Sequence, residues 1–299
     1  MTMSAEERQK MIHHLIRGII LTGFAFLIVY LVRSDNLTLY IAPRMAGYVK
    51  VSALVLYAAA IYQFYAAFQT WMGRTAAVDC GCDHTPSHSL LKNTLIYGLF
   101  VFPLALGFLL PDTMMGSSLA AKKGISLSGS QSINRPDETA SASSQEGPID
   151  ELDRLFPSDI YTESYAKNGK KLYLQDVIKV EEKQFIETLT TIDLYREQYI
   201  GKTIELSGFV YREEKMSEQQ FVVSRFAMNC CSADSLPYGL MISSPEAIHF
   251  DNDTWLQVRG TIMIGTYNGN EIIIVKAQKL EQIAAPDSPY VYPDYDFGL

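Results

Sequence analysis

Catalytic signatures are missing from this 299-residue chain. It has no glycine-rich phosphate loop, no Ser-His-Asp order and no HExxH motif. Nucleotide-driven, serine-hydrolase and zincin chemistry therefore have no foothold in it, and the expectation is a protein that is not an enzyme. Thiols and imidazoles are also scarce, with four cysteines and five histidines. Positive charge is in short supply too: 25 Lys and Arg stand against 33 Asp and Glu. The deficit lies almost wholly after Met115, where 17 basic residues oppose 27 acidic ones, against 8 and 6 before it. An acidic surface repels phosphate backbones and anionic headgroups, which excludes nucleic acid as a partner.

What the first part has in abundance is apolar length. Three runs, Leu15–Val32, Val51–Met72 and Thr94–Leu110, carry a single charge between them, Arg17. Each is long enough to cross a bilayer as a helix, since roughly 17–25 residues suffice. The first run is too long for the core of a signal peptide and lacks a small-x-small cleavage site, so it reads as an uncleaved anchor. Tyr30, Tyr48, Trp71 and Tyr97 near the run ends suit the interfacial belt. Arg8, Lys10 and Arg17 precede the first span, and Arg74 and Lys92 flank the loop between the second and third. That bias places the N-terminus inside and everything after the third span outside.

Residues 1–115 thus read as a transmembrane domain. Residues 116–148 are rich in Ser, Gly, Ala and charge, and read as a disordered linker. Residues 149–285 form a soluble domain in which "KLYLQD" (Lys171–Asp176) reads as a short strand and Glu182–Glu197 as a helix. Phe185, Ile186, Leu189 and Ile192 share one face of that helix. Five strands follow, at Thr203–Tyr211, Phe221–Met228, Tyr238–Ile242, Thr254–Ile264 and Glu271–Lys276. A turn at "YNGN" (Tyr267–Asn270) and a short helix in "SSPEAIHF" punctuate them. The fold class expected is membrane α plus soluble mainly-β, the latter an OB-like barrel with a flanking helix. Residues 286–299 read as an extended Pro/Tyr tail free to dock onto a partner.

Two clusters carry soft-ligand chemistry. "VDCGCDHTPSH", between the second and third spans, supplies Cys80, Cys82, His84 and His88, donors suited to Zn²⁺. His13 and His14 lie on the same side of the membrane. The alternative is a polar loop that is merely rich in Asp and His. The second cluster is the adjacent pair Cys230–Cys231, where a strand meets the turn signals Ser232-Ala233-Asp234 and Pro237. Neighbouring residues of a regular strand point to opposite faces, so the two sulfurs approach only if the chain turns there. Three readings stand: a vicinal disulfide, a ligand pair for a thiophilic ion, or two small buried apolar side chains. Pro43-Arg44 reads as a turn with an interfacial anchor, Met114–Met115 as lipid-facing filler, Trp255 as core and His249 as a loop residue.

"LYIAPRM", "GKTIELSGFVY" and above all "RFAMNCCSADSLPYGLMI" resemble the YcgQ-like permease-subunit family of bacterial membrane proteins. The resemblance spans most of the chain apart from the linker and the tail. It implies a plasma-membrane accessory subunit whose partner is a larger multi-span permease of the YcgR-like type. Permeases of that type are related to exporters of metals and metalloids; the resemblance supplies no substrate, and the cargo expected here is a metal or metalloid such as zinc. Relatives carry a His- and Cys-rich stretch in the loop occupied here by Cys80–His88. A membrane-anchored thiol redox protein and an envelope scaffold are the competing functions. A redox dithiol is expected as Cys-x-x-Cys at a helix N-terminus, which this pair is not.

Overall fold

The structure, a computed structural model, describes residues 4–73, 89–110, 116–128 and 151–298. It divides into two compact units, Met1–Thr113 and Met114–Leu299.

The first unit is three helices: α1 (Ala5–Arg33), α2 (Pro43–Trp71) and α3 (Leu90–Leu109). All three are long and apolar enough to cross a membrane. α1 begins about three turns before its apolar run because Ser4 and Glu7 form a reciprocal capping box. Pro43 occupies the first turn of α2, where a missing N–H costs nothing, so the "APR" segment is a helix start. The side chains buried along α2 are small: Ala53, Ala60, Ala66 and Ala67. Small residues let helix backbones approach, and Gly23 of α1 does the same for α3. A Cβ on Gly23 would sit 2.5 Å from Leu104 Cδ2. Large apolar side chains point outward instead, among them Leu54, Ile61, Leu91, Leu99 and Leu109. In water this pattern would be unstable, and lipid removes the penalty. The protein is a membrane protein.

The second unit contains α4 (Ser117–Lys123), α5 (Glu151–Leu155), α6 (Glu163–Tyr173) and α7 (Phe185–Leu194). Its strands are β1 (Val177–Lys179), β2 (Thr203–Tyr211), β3 (Gln220–Ala227), β4 (Leu236–Ser243), β5 (Trp255–Tyr267), β6 (Asn270–Gln282) and β7 (Tyr290–Val291). The sheet order is β1-β2-β5-β6-β4-β3-β7, with β2 also pairing with β3. The five expected strands therefore pair in a closed circuit. The result is a mixed seven-stranded sheet rather than a clean OB-type barrel. The closing β2–β3 ladder is short, running from Phe209↔Ser224 to Tyr211↔Val222, and β1 and β7 add parallel strands outside the circuit. Asn268 and Gly269 both take positive φ between β5 and β6, the twist-matched turn that "YNGN" predicts. Phe185, Leu189 and Ile192 of α7 are buried in one core with Ile204, Leu206 and Val258 of the sheet. That single face is what the 3.6-residue spacing predicts.

Three segments differ from the sequence expectation. "KLYLQD" is not a strand: it spans the last turn of α6, whose Ala166, Gly169 and Leu172 line one buried helical face. Strand pairing starts only at Val177. Residues 116–128 were expected in the linker, yet they pack on the β domain. Ser117 donates to Asp253 through both its N–H and its hydroxyl, and Ser126 bridges to Tyr238. Composition misses this because the apolar side chains that dock are few and scattered: Ala120 is buried, and Ile125 and Leu127 pack against the cluster of Met216, Val222 and Met241. The rest of the expected linker, residues 129–148, lies outside the described residues. The tail is not free either: β7 pairs with β3, and the Asp294 N–H donates to Glu187 Oε1 at 2.8 Å.

Candidate thiol site

β3 carries the chain to the site through its own buried end. Arg225 is 3% exposed, donating to Glu182 Oε2 at 3.2 Å and to the Ser288 carbonyl at 2.8 Å, with its guanidinium 5.4 Å from the Trp255 ring centroid. Burial pulls its pKa below the usual arginine value, against the upward pull of Glu182. Phe226 stacks on Phe209 at 5.2 Å. Met228 is fully buried, and its N–H donates to Val291 of the tail. The strand is thus anchored up to Met228, and the next seven residues form a projecting loop before β4.

The sequence of that loop dictates its shape. The Asp234 carboxylate accepts from the Asn229 N–H at 3.1 Å and from the Cys230 N–H at 2.7 Å. The Asp234 N–H in turn donates to the Cys231 carbonyl at 3.1 Å, closing a β-turn. Ser235, fully buried, donates through its hydroxyl to the Ser232 carbonyl at 2.7 Å. The chain therefore does turn at the cysteine pair, and the side chains no longer alternate. Both cysteines are free thiols, half-exposed, with sulfurs 3.7 Å apart. The Sγ atoms and an Asp234 carboxylate oxygen all lie within 4.8 Å of one another. Among the described residues this is the one such trio of candidate metal ligands.

Two distant segments brace the loop. Lys123, the last residue of α4, directs Nζ at the carbonyls of Ser232 (3.4 Å), Ala233 (3.0 Å) and Ser235 (2.7 Å). From the tail, the Tyr295 hydroxyl donates to Asn229 Oδ1. Electrostatics set the protonation state. The hydrogen bond to Asp234, then that to Cys231, push the Cys230 thiol up to about 11. Desolvation raises the Asp234 carboxyl, but hydrogen bonds from the Cys230 thiol and the surrounding N–H groups outweigh it, leaving the carboxyl below its ordinary range. At neutral pH the Cys230 thiol therefore keeps its proton beside an ionised Asp234 carboxylate.

Cys80, Cys82, His84 and His88 lie outside the described residues. His13 and His14 are described, and each bonds across the bundle: His13 Nδ1 to the Tyr97 hydroxyl and His14 Nδ1 to Gln63 Oε1, both at 2.7 Å. Trp255 is buried, as expected, and His249 sits exposed in a 3₁₀ turn. Sequence reasoning did not single out Asp234 and Lys123 as parts of the site. Cys-Cys-x-x-Asp is turn-length spacing, so Asp234 was visible in principle. Lys123, 108 residues before Cys231, carries no local signal.

Residues 16–126 match the DUF1980 N-terminal domain and residues 155–293 the DUF1980 C-terminal domain. The first match runs through α4, which belongs to the second unit. "UPF0703 protein YcgQ" of Bacillus subtilis (strain 168) is 27% identical over 286 residues, covering 92% of this chain and 98% of that protein. A Streptococcus mutans serotype c protein named "Putative two-component membrane permease complex subunit" is 24% identical over 283 residues, covering 93% and 99%. With both of its domains matched along most of its length, the chain belongs to the DUF1980 family.

Proposed function

We propose that the protein is a non-catalytic accessory subunit of a plasma-membrane permease complex, its partner a multi-span permease and its cargo a soft metal or metalloid ion. The observation that carries this reading is the end-to-end similarity to a relative named as a subunit of such a complex. The architecture supports it: three spans are few for a transport path, and the β domain presents a thiol-bearing loop. Zn²⁺ is the metal that Cys80, Cys82, His84 and His88 would suit in the other soft-ligand segment. The N-terminus inside and the β domain outside complete the reading.

The redox alternative fares worse on one specific point. Dithiol exchange needs an accessible thiolate, and the Asp234 carboxylate beside Cys230 pushes that thiol up to about 11. The test is affinity purification of the full chain in mild detergent, followed by mass spectrometry of what accompanies it. A multi-span membrane protein at a fixed ratio is expected. Purification of the chain alone, under conditions that preserve membrane complexes, would overturn the reading.

A further inference from the structure

We propose that Cys230, Cys231 and Asp234 form an open S₂O site that binds one thiophilic divalent cation and leaves a coordination position for handing it on. This rests on, and deepens, the permease-subunit reading by assigning the cargo class to a site.

The geometry is already that of a chelate. Two thiolates bound at about 2.3 Å to one tetrahedral Zn²⁺ lie about 3.8 Å apart. The sulfurs here are 3.7 Å apart, with no disulfide between them. Asp234 reaches the same space, and its carboxylate is oriented by the N–H groups of Asn229 and Cys230, as ligating carboxylates usually are. Lys123 ties three carbonyls of the turn together. The loop is therefore preorganised.

Openness sets the role. A resident structural zinc has four protein ligands in a closed shell, whereas three ligands with a free position characterise exchangeable or reactive sites. All three donors are at least partly solvent-exposed, so a fourth ligand from water or from a second protein can enter. Loading breaks two S–H bonds and forms two S–metal bonds, releasing two protons to solvent with no change in oxidation state. Soft thiolates select Zn²⁺ and its heavier congeners over Mg²⁺ and Ca²⁺.

The test is Cd²⁺ titration of the reduced full chain in detergent, reading the ultraviolet sulfur-to-cadmium charge-transfer absorption, with Zn²⁺ competition. The Cys80→Ser/Cys82→Ser protein isolates this site from the other pair. It is expected to bind one Cd²⁺ per chain with two thiolates, to lose it to Zn²⁺, and to ignore excess Mg²⁺. Adding Asp234→Asn, which keeps a carbonyl oxygen for the turn, should weaken binding by about 10–100-fold. Adding Cys230→Ser/Cys231→Ser should abolish the band. The site is wrong if the Cys80→Ser/Cys82→Ser protein gives no band, or if binding is indifferent to Asp234. Arsenite binding by the two thiols, with no Cd²⁺ binding, would equally overturn it. The permease reading is separable: the Cys230→Ser/Cys231→Ser protein should still co-purify its partner. A missing Cd²⁺ band with retained partner condemns the site alone.

Discussion

At the scale of single residues, polar groups taken out of water define the second unit more sharply than its apolar core does. Glu187 on α7 is 5% exposed, and its Oε2 has no hydrogen-bond partner while Oε1 accepts from the Asp294 N–H. Burial raises its pKa, and the nearby Asp294 charge adds to this against two backbone hydrogen bonds. A carboxyl with a raised folded pKa contributes stability that is complete below its unfolded pKa and is lost as pH rises through the folded value. Glu187→Gln keeps the acceptor for Asp294 and removes the titration. It should therefore stabilise the β domain at pH 8, with the gain shrinking as the pH falls toward the ordinary glutamate range. Thermal unfolding of both proteins across that range checks it, and a difference independent of pH would refute the cause.

At the scale of elements, the shape of the sheet turns on how closely β2 and β3 approach. Their ladder begins at Phe209↔Ser224, and the preceding residue is Gly208. A Cβ there would lie 2.4 Å from the Ser224 carbonyl oxygen, a backbone atom that cannot swing aside. Only a residue without a side chain lets β2 pass from its β5 partner to β3 and close the circuit. Gly208→Ala should cost about 1–3 kcal/mol, as overpacking does, and lower the unfolding temperature accordingly. An unchanged temperature would mean that the strands part more easily than their packing implies. Because β3 continues from this closure into the thiol loop, the same variant should also loosen Cd²⁺ binding.

At the scale of the whole molecule, a lipid-facing helical unit is joined in sequence to an acidic β domain. The proposed topology makes two reporters informative. One fused after Leu299 should behave as extracellular and one inserted at Gly73 as cytoplasmic. A cysteine introduced within Ser141–Ser144, in a chain lacking its other cysteines, should react with a membrane-impermeant maleimide on intact cells. Protection at that position would invert the arrangement and put the thiol loop among cytosolic reductants.

The sequence by itself determined the elements whose signal is local. Three apolar runs of bilayer length became α1 to α3, the face through Phe185, Leu189 and Ile192 became α7, and alternation marked the strands of the circuit. The turn at Cys230–Cys231 was also legible, because Ser-Ala-Asp and Pro237 announce it within a few residues. Tertiary structure alone decided the rest. Residues 116–128 and the tail dock through a few scattered apolar side chains, Ala120, Ile125, Leu127, Tyr290 and Val291, with no periodicity to mark them, and through polar contacts: Ser117 on Asp253, Lys123 on three carbonyls, Asp294 on Glu187. The partners in those contacts are separated by more than 100 residues, and no periodicity reports a hydrogen bond across such a distance. The thiol site needed both kinds of information: local turn chemistry brings the sulfurs and Asp234 together, and remote segments hold that turn in place.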